Sequence, residues 1–238
     1  MRLVQVITAS AVLLAAPAGA EDLRGQVRYS GPPAGPVKVA DSKARGCGAD
    51  PVFDLAMGVG EHGELQDALV WIASGVPASP PATAPLAIDQ VACRYVPRVA
   101  VALPGQKIVV KNSQGVLHNV HAKVNRRTKF NKGQPAGAAP VELVARANEP
   151  LVQLGCDIHP WMRSYIHVLP HGFAAVTAQD GSFTIRGLSP GRYTLRAWHA
   201  RLGQLEVPVT VSAGAAGQAV TVTYPAGPAK PRVPASSR

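Results

Sequence analysis

The feature that most limits the fold of this 238-residue chain is the period of its apolar residues. Short runs such as "KIVVKNS", "VELVARA" and "SFTIRG" alternate apolar and polar positions, as strands with one buried face do. Gly, Pro, Asn and Asp separate these runs, and no segment sustains the i, i+3, i+4, i+7 apolar spacing of an amphipathic helix. The pattern predicts an all-β protein.

Residues 1–20 have the composition of a secretory signal peptide. Arg2 supplies the positive start, an apolar stretch follows, and Ala18-Gly19-Ala20 offers small residues for cleavage before Glu21. The apolar stretch is too short for a transmembrane helix, so we expect no transmembrane segment. We therefore predict an exported protein, periplasmic or otherwise extracytoplasmic, in a compartment where disulfides form.

The chain contains three cysteines, so at least one of them has no intramolecular partner. Cys47 and Cys93 lie among turn residues and at the start of a strand, whereas Cys156 lies among other potential metal ligands. We expect a Cys47–Cys93 disulfide and a free Cys156. Sequence does not fix the pairing, and a disulfide that includes Cys156 is the alternative.

The segment "AVTAQDGSFTIRGLSPGRYTLRAW" resembles the carboxypeptidase regulatory-like (transthyretin-like) β-sandwich family, which has an earlier strand pair like "RGQVRYSG" and "QDALVWIA". The resemblance implies a transthyretin-like sandwich whose two halves are separated in the sequence by an inserted second sandwich. The alternative is three consecutive units. The predicted parts are N-terminal strands at 21–78, a Pro/Ala linker at 79–86, an inserted domain at 87–170, further sandwich strands at 171–225, and a disordered basic tail at 226–238.

The inserted segment contains the residue types of a type 1 copper site. Such a site combines a thiolate and two imidazoles with a weak axial thioether. In "CDIHPWM", Cys156, His159 and Met162 provide three of these groups from one short loop, and His118 in "VLHNVH" provides the second imidazole. Taken singly, each residue is equally explained as a buried apolar side chain, a satisfied histidine or a core filler. The combination predicts one type 1 copper site.

"HNVH" followed by "CDIHPWMR" resembles the cupredoxin family, and within it the amicyanins, over roughly residues 94–170. The resemblance implies a Greek-key β-sandwich with His118, Cys156, His159 and Met162 as copper ligands. It also implies that Asn119 ties the His118 strand to the Cys156 loop by hydrogen bonds. We interpret His121, two residues further on, as a surface or supporting residue.

The resemblance further implies that Pro160 and Trp161 form the rim where a redox partner docks, beside a solvent-facing edge of His159. The chain carries a formal net charge of +10, with a basic cluster in "KVNRRTKFNK". The charge is explained by solubility or by an acidic partner or anionic surface. Nucleic acid is not expected, because an exported chain with no aromatic platform beside this charge lacks a stacking surface.

Three functions fit these features. The first is a one-electron carrier that cycles between Cu(I) and Cu(II) and exchanges electrons with a redox protein. The second is copper handling, meaning scavenging or delivery, and the third is a non-redox binding module with a structural copper. An enzyme is not expected, because the sequence has no H-x-H pairs of the kind that multicopper oxidases require.

Overall fold

The computed structural model describes residues 19–39, 46–48, 51–55, 57–214 and 219–227. Nearly all of the predicted signal peptide and most of the predicted basic tail lie outside these residues. Every regular element within them is a β-strand, which confirms the all-β prediction. No helix in the described part of the chain is long and apolar enough to cross a membrane.

Eighteen strands follow one another along the described residues. They are β1 (Glu21–Tyr29), β2 (Val37–Lys38), β3 (Phe53–Asp54), β4 (Leu69–Ile72), β5 (Leu86–Val91), β6 (Arg94–Val96), β7 (Val99–Ala102), β8 (Lys107–Asn112), β9 (His118–Val124), β10 (Arg127–Gln134), β11 (Val141–Val144), β12 (Leu151–Gly155), β13 (Arg163–Val168), β14 (Ala174–Val176), β15 (Ser182–Leu188), β16 (Gly191–His199), β17 (Gly203–Val211) and β18 (Ala219–Tyr224).

The first sandwich is built from strands β5 to β13. Its two sheets have the strand orders β10-β9-β12-β13-β7 and β11-β8-β5-β6. Alternation along β8 directs Ile108 and Val110 into the core, where they join Val120 from β9 and Leu154 from β12. Cys156 and Met162 belong to the same buried cluster, so the candidate site lies at the edge of this core.

The second sandwich takes strands from both ends of the chain. Strand β1 pairs with β15 in antiparallel and with β18 in parallel orientation, and β4 lies between β14 and β16. Its sheets have the orders β15-β1-β18 and β14-β4-β16-β17. Strands β1 and β4, which precede the Pro/Ala linker, therefore share sheets with strands that follow residue 171.

Strands β2 and β3 lie within segment 21–78 but outside the sheets of this second sandwich. Among the described residues they pair only with each other, and Val52 is buried in the core of the first sandwich. Val39 and Cys47 pack against the same core. The predicted disulfide is present and joins Cys47 to Cys93 beside β6, which links this region covalently to the first sandwich.

An aromatic interface joins the two sandwiches. Leu69 and Trp71 on β4 pack with Val99 on β7 and with Tyr165 and Trp198. Strand β4 is buried along its whole length, because Val70 and Ile72 face the second core while Leu69 and Trp71 face the interface. This double burial explains the uninterrupted apolar run "LVWI".

His167 on β13 lies within this interface. Its ring centroid is 4.4 Å from that of Trp198 and 5.9 Å from that of Trp71, and its Nε2 has no hydrogen-bond partner among the described residues. Burial lowers the pKa of His167 from 6.5 to about 4. The folded protein therefore holds this imidazole in its neutral form over the range in which the unfolded chain protonates it.

Acidification from pH 6.5 to about 4 should consequently lower the free energy of unfolding, because the unfolded chain takes up a proton at His167 and the folded chain does not. In His167→Phe this contribution disappears, so the variant should lose less stability over that range than the wild type. Denaturant unfolding at a series of pH values measures the difference. Equal losses in the two proteins would contradict the assignment.

Thr177, directly after β14, connects the two ends of the chain in the second sandwich. Its buried Oγ1 accepts a hydrogen bond from the Ala68 N–H at 2.9 Å and donates one to the Leu65 carbonyl at 2.7 Å.

Thr177→Val keeps the shape of the side chain but leaves both backbone groups unpaired, so we expect the free energy of unfolding to fall by about 1–3 kcal/mol. Thr210→Val, at an exposed position, is the matched control. An equal effect of the two substitutions would show that this hydroxyl does not connect the strands.

Candidate metal centre

The polypeptide positions the four predicted ligands through two strand pairings. His118 begins β9, and Cys156 directly follows β12, which pairs with β9 on one side and β13 on the other. The loop between β12 and β13 is closed by two backbone hydrogen bonds, from Cys156 N–H to the Met162 carbonyl at 3.3 Å and from Met162 N–H to the His159 carbonyl at 2.9 Å. The loop therefore folds back beside the start of β9.

Three donor atoms converge at this point. Nδ1 of His118 lies 3.0 Å from Nδ1 of His159, and Sγ of Cys156 lies 3.5 Å from the His159 nitrogen and 3.9 Å from the His118 nitrogen. All three side chains are buried. A circle through three atoms at these separations has a radius of about 2.0 Å, close to the bonds of about 2.0–2.3 Å that a first-row ion such as zinc makes to imidazole nitrogen and thiolate sulfur. The donor set therefore fits a bound metal ion.

Met162 is buried in the same cluster as Cys156. The two backbone hydrogen bonds of the loop join Met162 to Cys156 and to His159. Its thioether as an axial ligand stays a prediction.

A hydrogen bond from Nε2 of His118 orients that ring. The bond goes to Oε1 of Gln114 at 3.2 Å, and the same oxygen accepts the Cys93 backbone N–H at 2.7 Å. Because a backbone N–H must meet an oxygen, the amide orientation is fixed, and Nε2 carries the ring hydrogen. Nδ1 then presents its lone pair to the donor cluster.

The electrostatics of the site favour a neutral imidazole. Burial, with a smaller contribution from the neighbouring His159, lowers the pKa of His118 from 6.5 to about 4. The neutral ring is the form that ligates metals. The site thus presents an unprotonated donor at neutral pH without first having to lose a proton from His118.

Asn119 connects the His118 strand to the Cys156 loop. Its Oδ1 accepts the Asp157 backbone N–H at 2.8 Å and lies 3.2 Å from Sγ of Cys156, and its Nδ2 donates to the Asp157 carboxylate at 3.1 Å. Tyr95 spans the same junction, because its hydroxyl donates to the carbonyls of Asn119 at 2.7 Å and Gly155 at 3.2 Å. Burial, followed by the nearby Cys156 and Asp157, raises the pKa of Tyr95.

His121 lies outside the donor cluster. Its Nδ1 is 2.9 Å from Oδ1 of Asp157 and its Nε2 is 2.8 Å from Oγ1 of Thr128. Asn131 donates to the other carboxylate oxygen of Asp157 at 2.7 Å. The hydrogen bond with His121, and then that with Asn131, holds the pKa of Asp157 below its ordinary value.

The expected solvent-facing edge of His159 is absent. Pro160 is exposed and Trp161 is half-buried, but the His159 side chain has no exposed surface. The Trp161 ring lies edge-on to it at 5.3 Å, and Trp161 Nε1 donates to the Cys93 carbonyl at 3.0 Å. The disulfide sulfurs lie within 4.8 Å of a His159 ring nitrogen. The Trp161 ring and the disulfide sulfurs therefore both lie beside the buried His159 ring.

Sequence reasoning missed Gln114 and Tyr95. Gln114 lies four residues before His118, but nothing in "NSQGVLH" distinguishes its amide from any other loop side chain. Tyr95 precedes the site by 24 and 60 residues in its two hydrogen bonds, so its role depends on tertiary structure.

Asn119→Ala should weaken the metal-free protein, because it removes the oxygen that accepts the Asp157 N–H at the junction. We expect the free energy of unfolding to fall by about 1–3 kcal/mol. Asn131→Ala removes an exposed side chain that bonds to Asn119 Nδ2 and to Asp157, but it leaves the bond from the Asp157 N–H to Asn119 in place, so it should cost less. Denaturant unfolding of the two variants measures the comparison, and equal costs would contradict a tying role for Asn119.

No family model matches the chain, and a search of curated proteins found no match. Among solved structures, a purple cupredoxin from Nitrosopumilus maritimus is similar at 23% identity over 35% of this chain and 99% of its own, with a TM-score of 0.31. A reduced amicyanin mutant matches at 19% identity over 42% and 98%, with a TM-score of 0.32. A copper-containing nitrite reductase from Thermus scotoductus matches at 18% identity over 42% of this chain and only 25% of its own, with a TM-score of 0.30.

Proposed function

We propose that this protein is an exported type 1 copper protein that carries one electron at a time. The observation that carries the proposal is the convergence of one thiol and two imidazole nitrogens around a point about 2.0 Å from each. A thiolate and two imidazoles are the donor set of blue-copper electron-transfer sites. Met162 is the weak axial ligand in this proposal.

Bound copper would supply a one-electron couple between Cu(I) and Cu(II). The chain's own contribution is a donor set that its hydrogen bonds hold in place. Gln114 fixes the tautomer of His118, and Asn119 and Tyr95 fix the separation of the His118 strand from the Cys156 loop. Donors held in this way need little rearrangement between the two oxidation states, which suits rapid transfer.

Because the His159 ring is buried, the exchange surface in this proposal is formed by the residues that cover the ring. Electrons would enter and leave through the exposed Pro160 and the half-buried Trp161, beside the disulfide. A contact through so few residues is small and suits a weak, transient encounter with a redox protein.

The basic strand β10 adds charge to the same sandwich. Arg126, Arg127 and Lys132 are exposed on the β9–β10 hairpin, while Lys129 is paired with Glu149 at 2.5 Å. Positive charge at this hairpin favours an acidic redox partner and gives a weaker attraction to anionic surfaces. We propose no enzymatic reaction and no nucleic-acid partner.

Copper-loaded, oxidised protein should show intense visible absorption from thiolate-to-copper charge transfer, with one copper per chain. Cys156→Ser should abolish the absorption, and His118→Ala should abolish or strongly reduce it, because each substitution removes a donor from the set. His62→Ala, at an exposed position outside the cluster, is the control and should keep the colour. Absorption spectra with copper quantification make the measurement.

A colourless protein that still binds one Cu(II) would contradict the carrier proposal and favour copper handling. Unchanged colour in His118→Ala would remove His118 from the ligand set. If the wild type is coloured but shows no reversible one-electron wave in voltammetry, the copper is structural rather than an electron carrier.

A further inference from the structure

The described residues contain a second group of potential metal ligands next to the first. Its members are Cys47, Cys93 and His159, whose ligand atoms all lie within 4.8 Å of one another. His159 belongs to both groups. In the structure the two cysteines form a disulfide, so their sulfurs cannot act as thiolates.

Cys93 is held rigidly in this arrangement. Its side chain is fully buried, its N–H donates to Gln114 at 2.7 Å, and its carbonyl accepts from Trp161 at 3.0 Å. These partners also contact His118 and His159, because Gln114 Oε1 bonds to His118 and the Trp161 ring packs on His159. Contacts other than the disulfide therefore hold the Cys93 backbone beside the site.

The backbone on both sides of Cys47 is less constrained than the backbone of Cys93. Exposed glycines flank it on both sides, with φ angles of +84° at Gly46 and +88° at Gly48. Among the described residues, a Cβ atom at Gly48 would meet nothing within 4 Å, and one at Gly46 would only touch Val116 at 3.5 Å. Glycine adopts many backbone conformations, so the chain on both sides of Cys47 can adjust when the disulfide opens and the two sulfurs separate.

We propose that reduction of the Cys47–Cys93 disulfide creates a second copper site, specific for Cu(I), from the two thiolates and His159. A dithiol reductant breaks the S–S bond: it supplies two electrons and two protons, leaves Cys47 and Cys93 as thiols, and becomes a disulfide itself. When Cu(I) binds, each ligating thiol releases its proton to solvent and the copper stays Cu(I). Thiolates are soft donors and select Cu(I) over harder divalent ions.

The shared histidine links this site to the first one. With the disulfide closed, His159 is available only to the set that contains His118 and Cys156. With the disulfide open, two more thiolates lie beside the same ring: His159 completes their site when the first site is empty, and the two thiolates alone hold the second Cu(I) ion when the first site is filled. The redox state of the disulfide then determines how many copper ions the chain holds, which goes beyond electron carriage and does not depend on copper in the first site.

Cys156→Ser isolates the new site, because it removes the thiol of the first site and leaves the disulfide intact. The full-length variant is prepared oxidised and after reduction with a phosphine, and Cu(I) is titrated in competition with the chromophoric chelator bicinchoninate. The reduced form should bind one Cu(I) about 100-fold more tightly than the oxidised form, because only it offers two thiolates. Reduced wild type should hold two copper ions where the oxidised wild type holds one.

Cys47→Ser/Cys156→Ser is the matched control, since it keeps Cys93 but removes the second thiolate. It should bind Cu(I) markedly more weakly than reduced Cys156→Ser, because it offers one thiolate instead of two. Equal Cu(I) affinity of reduced and oxidised Cys156→Ser would overturn the proposal, and so would binding by the control that is as tight as that of reduced Cys156→Ser.

Loss of the far-ultraviolet β-sheet signal on reduction would also overturn the proposal, because the site requires the folded arrangement. Each of these results leaves the visible spectrum of oxidised, copper-loaded wild type unaffected, so failure here is distinguishable from failure of the carrier proposal.

Discussion

The pairing of β12 with both β9 and β13 is the constraint on which the site depends. It brings the loop after Gly155 alongside the strand that His118 begins, although 38 residues separate His118 from Cys156 along the chain. Hydrogen bonds made by Asn119 and Tyr95 across the junction then fix the distance between this loop and the His118 strand. Buried polar groups that satisfy one another in this way specify one arrangement, since any other would leave them unpaired. The donor geometry therefore depends on the strand pairing and on these hydrogen bonds as well as on the ligand residues.

The disulfide gives this site a feature that the ligand motif alone does not imply. Its sulfurs lie within 4.8 Å of a His159 ring nitrogen, and Trp161, whose ring packs on His159, donates to the Cys93 carbonyl. The N-terminal region contributes to both sandwiches, because Val52 packs in the first core while β1 and β4 lie in the second sandwich. The disulfide thus lies beside the site and joins the Cys47 end of this region to the first sandwich.

Much of the fold could be predicted because apolar alternation reports a buried face directly, as it does along β8 and β15. The strand β10 escaped prediction because most of its side chains are exposed, so it pairs through its backbone without an apolar pattern. Strand β5 begins at Leu86, the last residue of the predicted Pro/Ala linker. The residues of the donor cluster could be chosen from their chemistry, whereas the burial of His159 could not. It depends on a contact between the Cys47–Cys93 disulfide and a loop more than 60 residues away from either cysteine.

A crystal structure of the oxidised, copper-loaded protein, with copper located by its anomalous scattering, tests the central claim most directly. The account predicts one strong peak within bonding distance of Nδ1 of His118, Nδ1 of His159 and Sγ of Cys156, with the Cys47–Cys93 disulfide intact beside it. A copper peak at any other place, or a peak at the cluster without a bond to Cys156, would contradict the account.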